Sequence, residues 1–296
     1  MDEKLNAELK IFKLKALKEK IVLFGVALLI LAELVFLLMA FKSTFIKKTI
    51  NKPYIAVINI NKTITVPYIN NIMAKMNSLK KDKNCKEYLL IFNTPGGSPS
   101  ASDEFNAYLK YINKIKKVNV YVESMAASGG YYIISAIKPI IANKNAVVGS
   151  IGVIMPHFVL KKLAEKLGIE EDTLTVGKYK EPVSLFKKFS PADKKYLLSH
   201  LLLPTYNNFL KTVATDRNIS IEKLKKYADG KIYIASMVKG ILVDKISNLI
   251  TVEQNLKKRY NNNIVFVNIS LYKKSLPFFN IKLSSDIGQA LKEIVK

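Results

Sequence analysis

Apolar and polar residues along the chain follow two periods that alternate with one another. Residues 54–60 and 88–93 are short runs rich in β-branched and aromatic side chains and are bounded by polar residues, which is typical of buried strands. Apolar residues then recur at helical spacing, at positions 69, 72, 73, 76 and 79 and again at 105, 108, 109 and 112. Because strand and helix alternate, the pattern predicts an α/β fold with a mainly parallel sheet covered by helices.

The same two periods place the remaining elements. Ser190 caps a helix with Pro191 in its first turn, and this helix extends to about Thr215. Pro204 lies inside it and lacks an amide hydrogen, so we expect a kink at that point. The pattern further predicts strands over 118–122, 146–154 and 264–269 and helices over 131–136, 158–167, 220–230 and 286–295.

Residues 21–41 form the most apolar stretch of the chain, and Glu33 is the one charged residue in it. A helix of that length measures about 31 Å and matches the hydrocarbon core of a bilayer. No small-residue cleavage site follows, so we expect an uncleaved membrane anchor rather than a signal peptide. Glu33 is either a tolerated neutral carboxyl, at a cost of about 2.5–3.5 kcal/mol, or a helix–helix contact.

This anchor divides the chain into segments. We expect a charged tail over 1–20, the transmembrane helix over 21–41, a linker over 42–53 and one globular domain over 54–296. Lysines flank the apolar stretch on both sides, so the positive-inside rule favours a cytoplasmic N-terminus by a small margin. The expected location is therefore the inner (cytoplasmic) membrane, with the globular domain on the extracytoplasmic side.

The net charge of +24 consists almost entirely of lysine. Of the 47 basic residues, Arg217 and Arg259 are the arginines. Phosphate and base recognition favours the guanidinium fork, so the composition argues against nucleic acid and for solvated lysine faces, with attraction to an anionic membrane as the alternative. Cys85 is the single cysteine, which excludes an intramolecular disulfide and a cysteine-based zinc site.

Candidate chemistry begins at Ser128, which lies between a predicted strand and a predicted helix and is followed by Gly129 and Gly130. A serine in such a turn lies near unpaired helix N–H groups, and small neighbours let another chain approach its hydroxyl. These features suit a nucleophile that attacks a carbonyl carbon, although a helix-capping serine followed by a packing pair of glycines fits equally well. The loop Asn93-Thr-Pro-Gly-Gly97 follows another strand, and its glycine amides suit either an oxyanion socket or a simple tight turn.

A serine nucleophile requires a base, and the chain has two histidines. His200 lies inside a predicted helix, where a surface or packing role is expected, and His157 follows Pro156 at a strand end and stays a minor candidate. A buried lysine is the other option, because burial can lower a lysine pKa from about 10.4 towards neutrality. Lys180 lies in an irregular segment that suits this role, yet spacing does not distinguish it from the other lysines.

An ordered set of motifs resembles the membrane-bound serine–lysine signal peptide peptidases of bacteria, the SppA type. The similarity runs from about Tyr54 to Thr251. The motifs are Asn93-Thr-Pro-Gly-Gly97, Met125-Ala-Ala-Ser-Gly-Gly-Tyr-Tyr132, Val148-Gly-Ser-Ile-Gly-Val153, Gly177-Lys-Tyr-Lys180, Asp229-Gly-Lys-Ile-Tyr233 and Lys239-Gly-Ile-Leu-Val-Asp244.

The resemblance implies a ClpP/crotonase-like α/β fold with a repeated ββα core. It implies Ser128 as the nucleophile, Lys180 as the general base and Ser150 as the residue that orients the lysine amine. The N–H groups of Gly97 and Gly129 would form the oxyanion hole. It further implies apolar peptide substrates such as remnant signal peptides, no metal or cofactor, and an octamer-like, dome-shaped ring in which serine and lysine can come from adjacent subunits.

The sequence also departs from this family. Glu-Pro-Val-Ser-Leu-Phe follows Lys180, where many relatives carry a small, serine- and glycine-rich run, and Glu181 beside the amine would hold it charged. Residues 252–296 carry no matching motif. Two other functions stay open on sequence alone: an acyl-CoA hydratase or isomerase of the same fold, and a non-catalytic membrane scaffold.

Overall fold

The structure, a computed structural model, describes residues 50–269 and, before them, residues 14, 17, 20, 21, 24, 25, 27, 28 and 30–36. The described residues between 14 and 36 are helical and exposed, and residues 50–269 belong to a separate compact unit. Within the described residues we find no helix that is both long and apolar enough to cross a bilayer. The membrane anchor over 21–41 therefore stays a prediction. The helix expected over 286–295 lies outside the described residues, as does most of the expected tail over 1–20 and linker over 42–53.

A mostly parallel sheet forms the centre of the unit. Its strands are β1 (Tyr54–Ile60), β2 (Cys85–Thr94), β3 (Val118–Ala127), β4 (Ile140–Ala142), β5 (Val147–Gly149), β6 (Ile232–Ile234), β7 (Lys245–Ile246) and β8 (Val265–Asn268). The strand order is β6-β5-β3-β2-β1-β8, and β4 pairs with β3 and with β7. Every pair is parallel except β5 with β6. The predicted α/β architecture with a mainly parallel sheet is thus confirmed.

Helices cover both faces of this sheet. They are α1 (Val66–Leu79), α2 (Pro99–Ile115), α3 (Gly129–Ile134), α4 (Lys161–Lys166), α5 (Pro191–Leu197), α6 (Leu203–Arg217), α7 (Ile221–Lys225) and α8 (Leu249–Lys258). Ser190 caps α5 through a reciprocal pair of hydrogen bonds with Asp193, as its sequence predicts. The helix expected to continue to Thr215 is interrupted by a π-helical turn, Leu198–Leu202, because Pro204 in the first turn of α6 cannot donate to the preceding turn.

Two apolar cores lie on opposite faces of the sheet, as the period of a strand requires. Ile55 belongs to the smaller core and Ala56 to the larger one. Helix α8 closes the smaller core with Val252 and Leu256, whereas α1, α2, α3 and α6 pack on the larger one. Each fully buried aliphatic side chain contributes roughly 1.5–3 kcal/mol to the free energy of folding. The two cores therefore hold the strands in place, together with the strand ends from which the site is built.

Several predicted elements have different bounds in the structure. Strand β3 continues five residues beyond Val122, so that Ser128 follows it directly. The strand expected over 146–154 is limited to β5, and the positive φ of Gly149 at its end and of Ser150 after it, at 95° and 52°, turns the chain out of the extended conformation. The helices expected over 158–167 and 220–230 are shortened to α4 and α7.

A buried ion pair joins the end of α6 to the β4 edge of the sheet. Arg217, whose side chain is 3% exposed, donates from Nη2 to Asp244 Oδ1 at 2.7 Å and from Nη1 to Asp244 Oδ2 at 3.0 Å. The Ile140 amide also donates to Asp244, at 2.6 Å. Burial raises the pKa of Asp244, but the hydrogen bonds from Arg217 and from Ile140 outweigh it, and the net pKa is lowered. The aspartate that ends the motif Lys239–Asp244 therefore has a structural role.

Candidate active site

Ser128 occupies the turn between β3 and α3, at the carboxyl end of the parallel strands. Its φ of 50° and ψ of −122° are uncommon for a residue with a side chain. Its amide donates to the Gly149 carbonyl at 2.8 Å, and its carbonyl accepts from the Tyr132 amide at 3.0 Å. The side chain is half-buried, and its hydroxyl has no hydrogen bond with any described residue. The backbone is thus held in a strained conformation while the hydroxyl stays open to a substrate.

A loop between β2 and α2 brings a glycine amide to this turn. The Gly96 carbonyl accepts from the Ile64 amide at 2.8 Å, and the Ser98 amide donates to the Ile64 carbonyl at 2.8 Å. Because the N–H and C=O of a trans peptide point in opposite directions, this anchoring turns the Gly97 N–H away from Ile64. A Cβ placed on Gly129 would lie 3.2 Å from the Gly97 nitrogen. Within residues 50–269, neither the Gly97 nor the Gly129 N–H donates a hydrogen bond.

The close approach of the two loops requires glycine in the first of them. Gly96 has φ of 100°, and a Cβ there would lie 2.7 Å from both the Ala127 oxygen and the Gly129 nitrogen. Gly97 has φ of 152°, and a Cβ there would overlap the backbone of Ile64. The sequence alone allows the motif Asn93–Gly97 to be either an oxyanion socket or a tight turn. In the structure it is a tight turn, and its geometry also leaves the Gly97 N–H next to the Gly129 N–H, as an oxyanion socket requires.

A cavity of about 120 Å³ opens beside Ser128. Both glycines of the amide pair line it, together with the side chains of Pro99, Ser102, Tyr132, Val153, Ile154, Thr205 and Phe209. Sequence reasoning does not find Thr205 and Phe209, because they lie on α6, far along the chain, where they read as an ordinary helix face. The mainly apolar wall suits an apolar side chain next to the bond that Ser128 would attack.

The Tyr132 ring is fixed as one wall of this cavity. Its hydroxyl lies 2.5 Å from Asp103 Oδ1, to which it donates, and 2.9 Å from Thr212 Oγ1. The ring packs on Phe209 with centroids 5.0 Å apart. Burial, and then the hydrogen bond to Asp103, raise the pKa of Tyr132 to about 12. The hydroxyl is therefore protonated at neutral pH and acts as an anchor between α2, α3 and α6.

The structure of one chain does not place Lys180 in the cavity. Lys180 is exposed and is absent from the cavity lining. It ends a turn in which its amide donates to the Gly177 carbonyl at 3.1 Å, and the preceding Tyr179 stacks on Tyr196 at 4.3 Å. Glu181 lies 3.5 Å from the amine of Lys187, which gives its carboxylate a partner other than Lys180.

The other candidate side chains divide between the site and its surroundings. Ser150 follows the residue that accepts the Ser128 amide, and its own amide donates to the Lys231 carbonyl at 2.7 Å, so it lies next to the nucleophile turn. His157 Nε2 lies 2.7 Å from the Ser184 carbonyl oxygen, and His200 is exposed on the π-helical turn. Neither histidine lines the cavity. Among the described residues, no three His, Cys, Asp or Glu side chains converge on a possible metal position.

A mainly parallel sheet with a serine turn at its carboxyl edge, facing a glycine loop, is consistent with a ClpP-like α/β fold. In agreement, the family model described as Clp protease matches residues 42–148. The model described as Peptidase family S49 matches residues 110–263, which is just over half of the chain. The chain therefore belongs to Peptidase family S49.

Curated relatives carry names that agree with this family. A putative protease of Methanocaldococcus jannaschii is 40% identical over 184 residues, which are 62% of this chain and 58% of the relative. A putative signal peptide peptidase SppA of Enterococcus faecium is 34% identical over 193 residues, 64% of this chain and 55% of the relative. The chloroplastic serine protease SPPA of Arabidopsis thaliana is 28% identical over 211 residues, 70% of this chain and 31% of the relative. The matched region thus spans less than two thirds of each of these relatives.

Proposed function

We propose that this chain is a serine endopeptidase of the SppA type, anchored in the inner membrane by residues 21–41, that cleaves apolar peptides such as remnant signal peptides. The observation that carries the proposal is the strained Ser128 turn beside two glycine amides, at the mouth of an apolar cavity. Membership of Peptidase family S49 and the names of the relatives support a peptidase. An acyl-CoA hydratase or isomerase does not require a serine hydroxyl in that turn.

In the proposed mechanism, the neutral amine of Lys180 accepts the proton of Ser128 as Oγ attacks the peptide carbonyl. The carbonyl oxygen becomes an oxyanion that accepts hydrogen bonds from the N–H groups of Gly97 and Gly129, each worth about 2.7–4 kcal/mol of transition-state stabilisation. The lysine ammonium then protonates the leaving amine. Water attacks the acyl-enzyme in the second half with Lys180 again as the base, and the ammonium returns the proton to Ser128 Oγ as the ester bond breaks. The Ser150 hydroxyl oxygen accepts a hydrogen bond from an N–H of the amine and so orients its lone pair.

We propose that Lys180 reaches Ser128 from a neighbouring copy of the chain. The arm, residues 150–189, is mostly irregular and carries large apolar side chains in open solvent, with Phe158 72%, Leu174 97% and Val176 95% exposed. Such a cluster is typical of a surface that a partner covers. A second copy seated on the arm would exclude water from this cluster and from the Lys180 amine, which a neutral base requires.

The cavity beside Ser128 supports the apolar substrate class. Its wall of Val153, Ile154, Phe209 and the Tyr132 ring offers no charged side chain to a substrate residue. A cavity of about 120 Å³ holds a side chain of small to medium size. Extended apolar peptides, such as the cores of cleaved signal peptides, present such residues.

The test is hydrolysis of an unfolded apolar peptide by the purified full-length protein and its variants. Ser128→Ala and Lys180→Met should each lose activity by at least about 1000-fold, because each removes a group that acts in the reaction. Lys178→Met is the matched control and should keep activity, since Lys178 lies over the Tyr179 ring at 5.2 Å rather than serving as the base. Full activity in either the Ser128 or the Lys180 variant removes that residue from the mechanism.

Mixing the two inactive variants tests the origin of the lysine. If serine and lysine come from different copies, mixed oligomers of Ser128→Ala and Lys180→Met contain some intact pairs and regain part of the activity. If each pair forms within one chain, the mixture stays inactive. Labelling of Ser128 by a fluorophosphonate or a peptide aldehyde separates an enzyme from a scaffold, and binding of acyl-CoA would favour the hydratase alternative.

A further inference from the structure

The hydroxyl of Thr94, the last residue of β2, links the loop after β1 to the loop after β2. Thr94 is fully buried. Its Oγ1 donates to the Lys62 carbonyl at 2.7 Å and accepts from the Gly96 amide at 3.2 Å. A hydroxyl has a single proton, so donation to Lys62 leaves its lone pairs directed to the Gly96 N–H. Both interactions are therefore satisfied at once, by one buried atom.

The methyl group of Thr94 reaches the nucleophile turn from the same position. A Cβ placed on Gly130 would lie 2.8 Å from Thr94 Cγ2, so the methyl group packs directly against the Gly130 backbone. Gly130 is two residues beyond Ser128, in the first turn of α3. Thr94 is thus in contact with both loops that supply the proposed oxyanion donors, and it lines neither the cavity nor its mouth.

These contacts determine the direction of the Gly97 N–H. Gly96 is held at its amide by Thr94 and at its carbonyl by the Ile64 amide at 2.8 Å. A glycine at φ of 100° has a wide range of alternative conformations, and these two bonds select one of them. Because the Gly96 carbonyl and the Gly97 N–H share one rigid peptide plane, the selected conformation also aims the second donor.

We propose that Thr94 is a positioning residue for the oxyanion hole: its hydroxyl keeps the Gly97 N–H aligned with the Gly129 N–H, and it does so without contact with the substrate. This inference rests on the proposed peptidase function. A misaligned donor weakens binding of the transition state while leaving ground-state binding nearly unchanged, since the substrate carbonyl gains its strongest hydrogen bonds only as charge develops.

The test replaces Thr94 by valine, which keeps the shape and removes the hydroxyl, and by serine, which keeps the hydroxyl and removes the methyl group. We expect Thr94→Val to lower kcat by about 10- to 100-fold with KM within about twofold, because one donor is misaligned rather than deleted. Thr94→Ser should keep kcat within about threefold of the wild type. If valine fails to fold cooperatively, Thr94→Ala is measured by the same criterion, as it also lacks the hydroxyl.

Binding of a peptide aldehyde supplies a readout that a merely structural role would not move. The aldehyde adduct with Ser128 places an oxygen in the oxyanion position, whereas the product peptide that carries the new N-terminus has no group there. The hydroxyl-free variant should bind the aldehyde more weakly by the same factor as its kcat falls and bind the product as the wild type does. Equal losses for aldehyde and product, an unchanged kcat, or a serine variant as impaired as valine would each overturn the inference.

Failure of the proposed function has a different signature. If the wild-type protein neither hydrolyses the peptide nor forms an adduct at Ser128, the peptidase proposal fails, and the role of Thr94 fails with it. If the wild type is active and the variant without the hydroxyl matches it, the peptidase proposal stands and the positioning role is wrong.

Discussion

The backbone at Ser128 stores strain that a stability measurement can detect. A residue with a side chain held in such a sparsely populated conformation, here φ of 50° and ψ of −122°, costs about 1–3 kcal/mol. Glycine at 128 removes that cost, because it lacks a Cβ, but it loses about 0.5–1 kcal/mol through the greater freedom of the unfolded chain. Ser128→Gly should therefore be more stable than Ser128→Ala by about 1 kcal/mol. Both variants lack the hydroxyl, so their difference contains the strain and the opposing cost of glycine, but not the loss of the hydroxyl.

The assay is denaturant unfolding of the two full-length variants, with the midpoints compared at equal m-value. A difference of about 1 kcal/mol corresponds to about 2–4 °C in Tm for a unit of this size. Ala127→Gly is the matched control, compared with the wild type. Ala127 is the last residue of β3 and has no positive φ, so glycine there should lower stability by about 0.5–1 kcal/mol.

Opposite signs at neighbouring positions are the distinguishing result. If the glycine variant at 128 is no more stable than the alanine variant, the turn is relaxed in solution, and strain at the nucleophile is not a feature of this protein. If glycine raises stability at 127 as well, the effect belongs to the chain in general and not to the conformation of Ser128.

Contacts around and beneath the cavity give two more expectations. Phe209→Leu shortens the cavity wall that packs on Tyr132 at 5.0 Å and so enlarges the cavity. On two peptides that differ only in the residue beside the cut, kcat/KM for the aromatic residue should rise about tenfold relative to kcat/KM for alanine. An unchanged ratio would contradict this expectation. The pKa of Asp244 is lowered below its ordinary value of 3.8, so the stability contributed by its pair with Arg217 is present above about pH 4 and is lost as pH falls through the folded-state pKa. In urea titrations from pH 7 to pH 2, Asp244→Asn should lower the free energy of unfolding by about 2–3 kcal/mol at pH 7, and its stability should fall less with acid than that of the wild type. Asp229→Asn, which breaks an exposed pair, should change stability little at either pH. Equal acid dependence of the wild type and Asp244→Asn would refute this expectation.

The long elements of the fold are predictable from sequence because they bury a regular face. Strands β1 and β2 and helices α1 and α2 have enough residues for a period to emerge, and the structure confirms each of them. Strands β4, β6 and β7 have two or three residues each, too few for a period. Helix α8 is missed although its sequence carries a signal, since Leu249, Val252 and Leu256 recur at helical spacing and Asn248 caps the helix.

The chemistry of the site is only partly local in sequence. Small residues around Ser128 mark the turn, but its amide is held by a hydrogen bond to Gly149, in a strand that follows it in the chain. The cavity wall is less predictable still, because Phe209 arrives from α6 and has no signal beyond helical spacing. Thr94 appears in sequence as one letter of a motif, and its link to Lys62 becomes visible only when both loops are placed.

A single chain defines the geometry of one half of the proposed catalytic site, the nucleophile and the donors, but not that of the other half, Lys180. The nucleophile and the donors lie at the ends of β2 and β3, in which most residues are buried, so a single chain fixes their geometry. Lys180 lies in the exposed arm, where Val176 and Leu174 are almost fully solvated and no core holds the backbone. A base placed in this way acquires a defined position, and a dry environment, only when another surface covers the arm. If Lys180 is the base, assembly is therefore a step of the mechanism itself. The apolar residues of the arm, which would promote aggregation of an isolated chain, then couple assembly to activity.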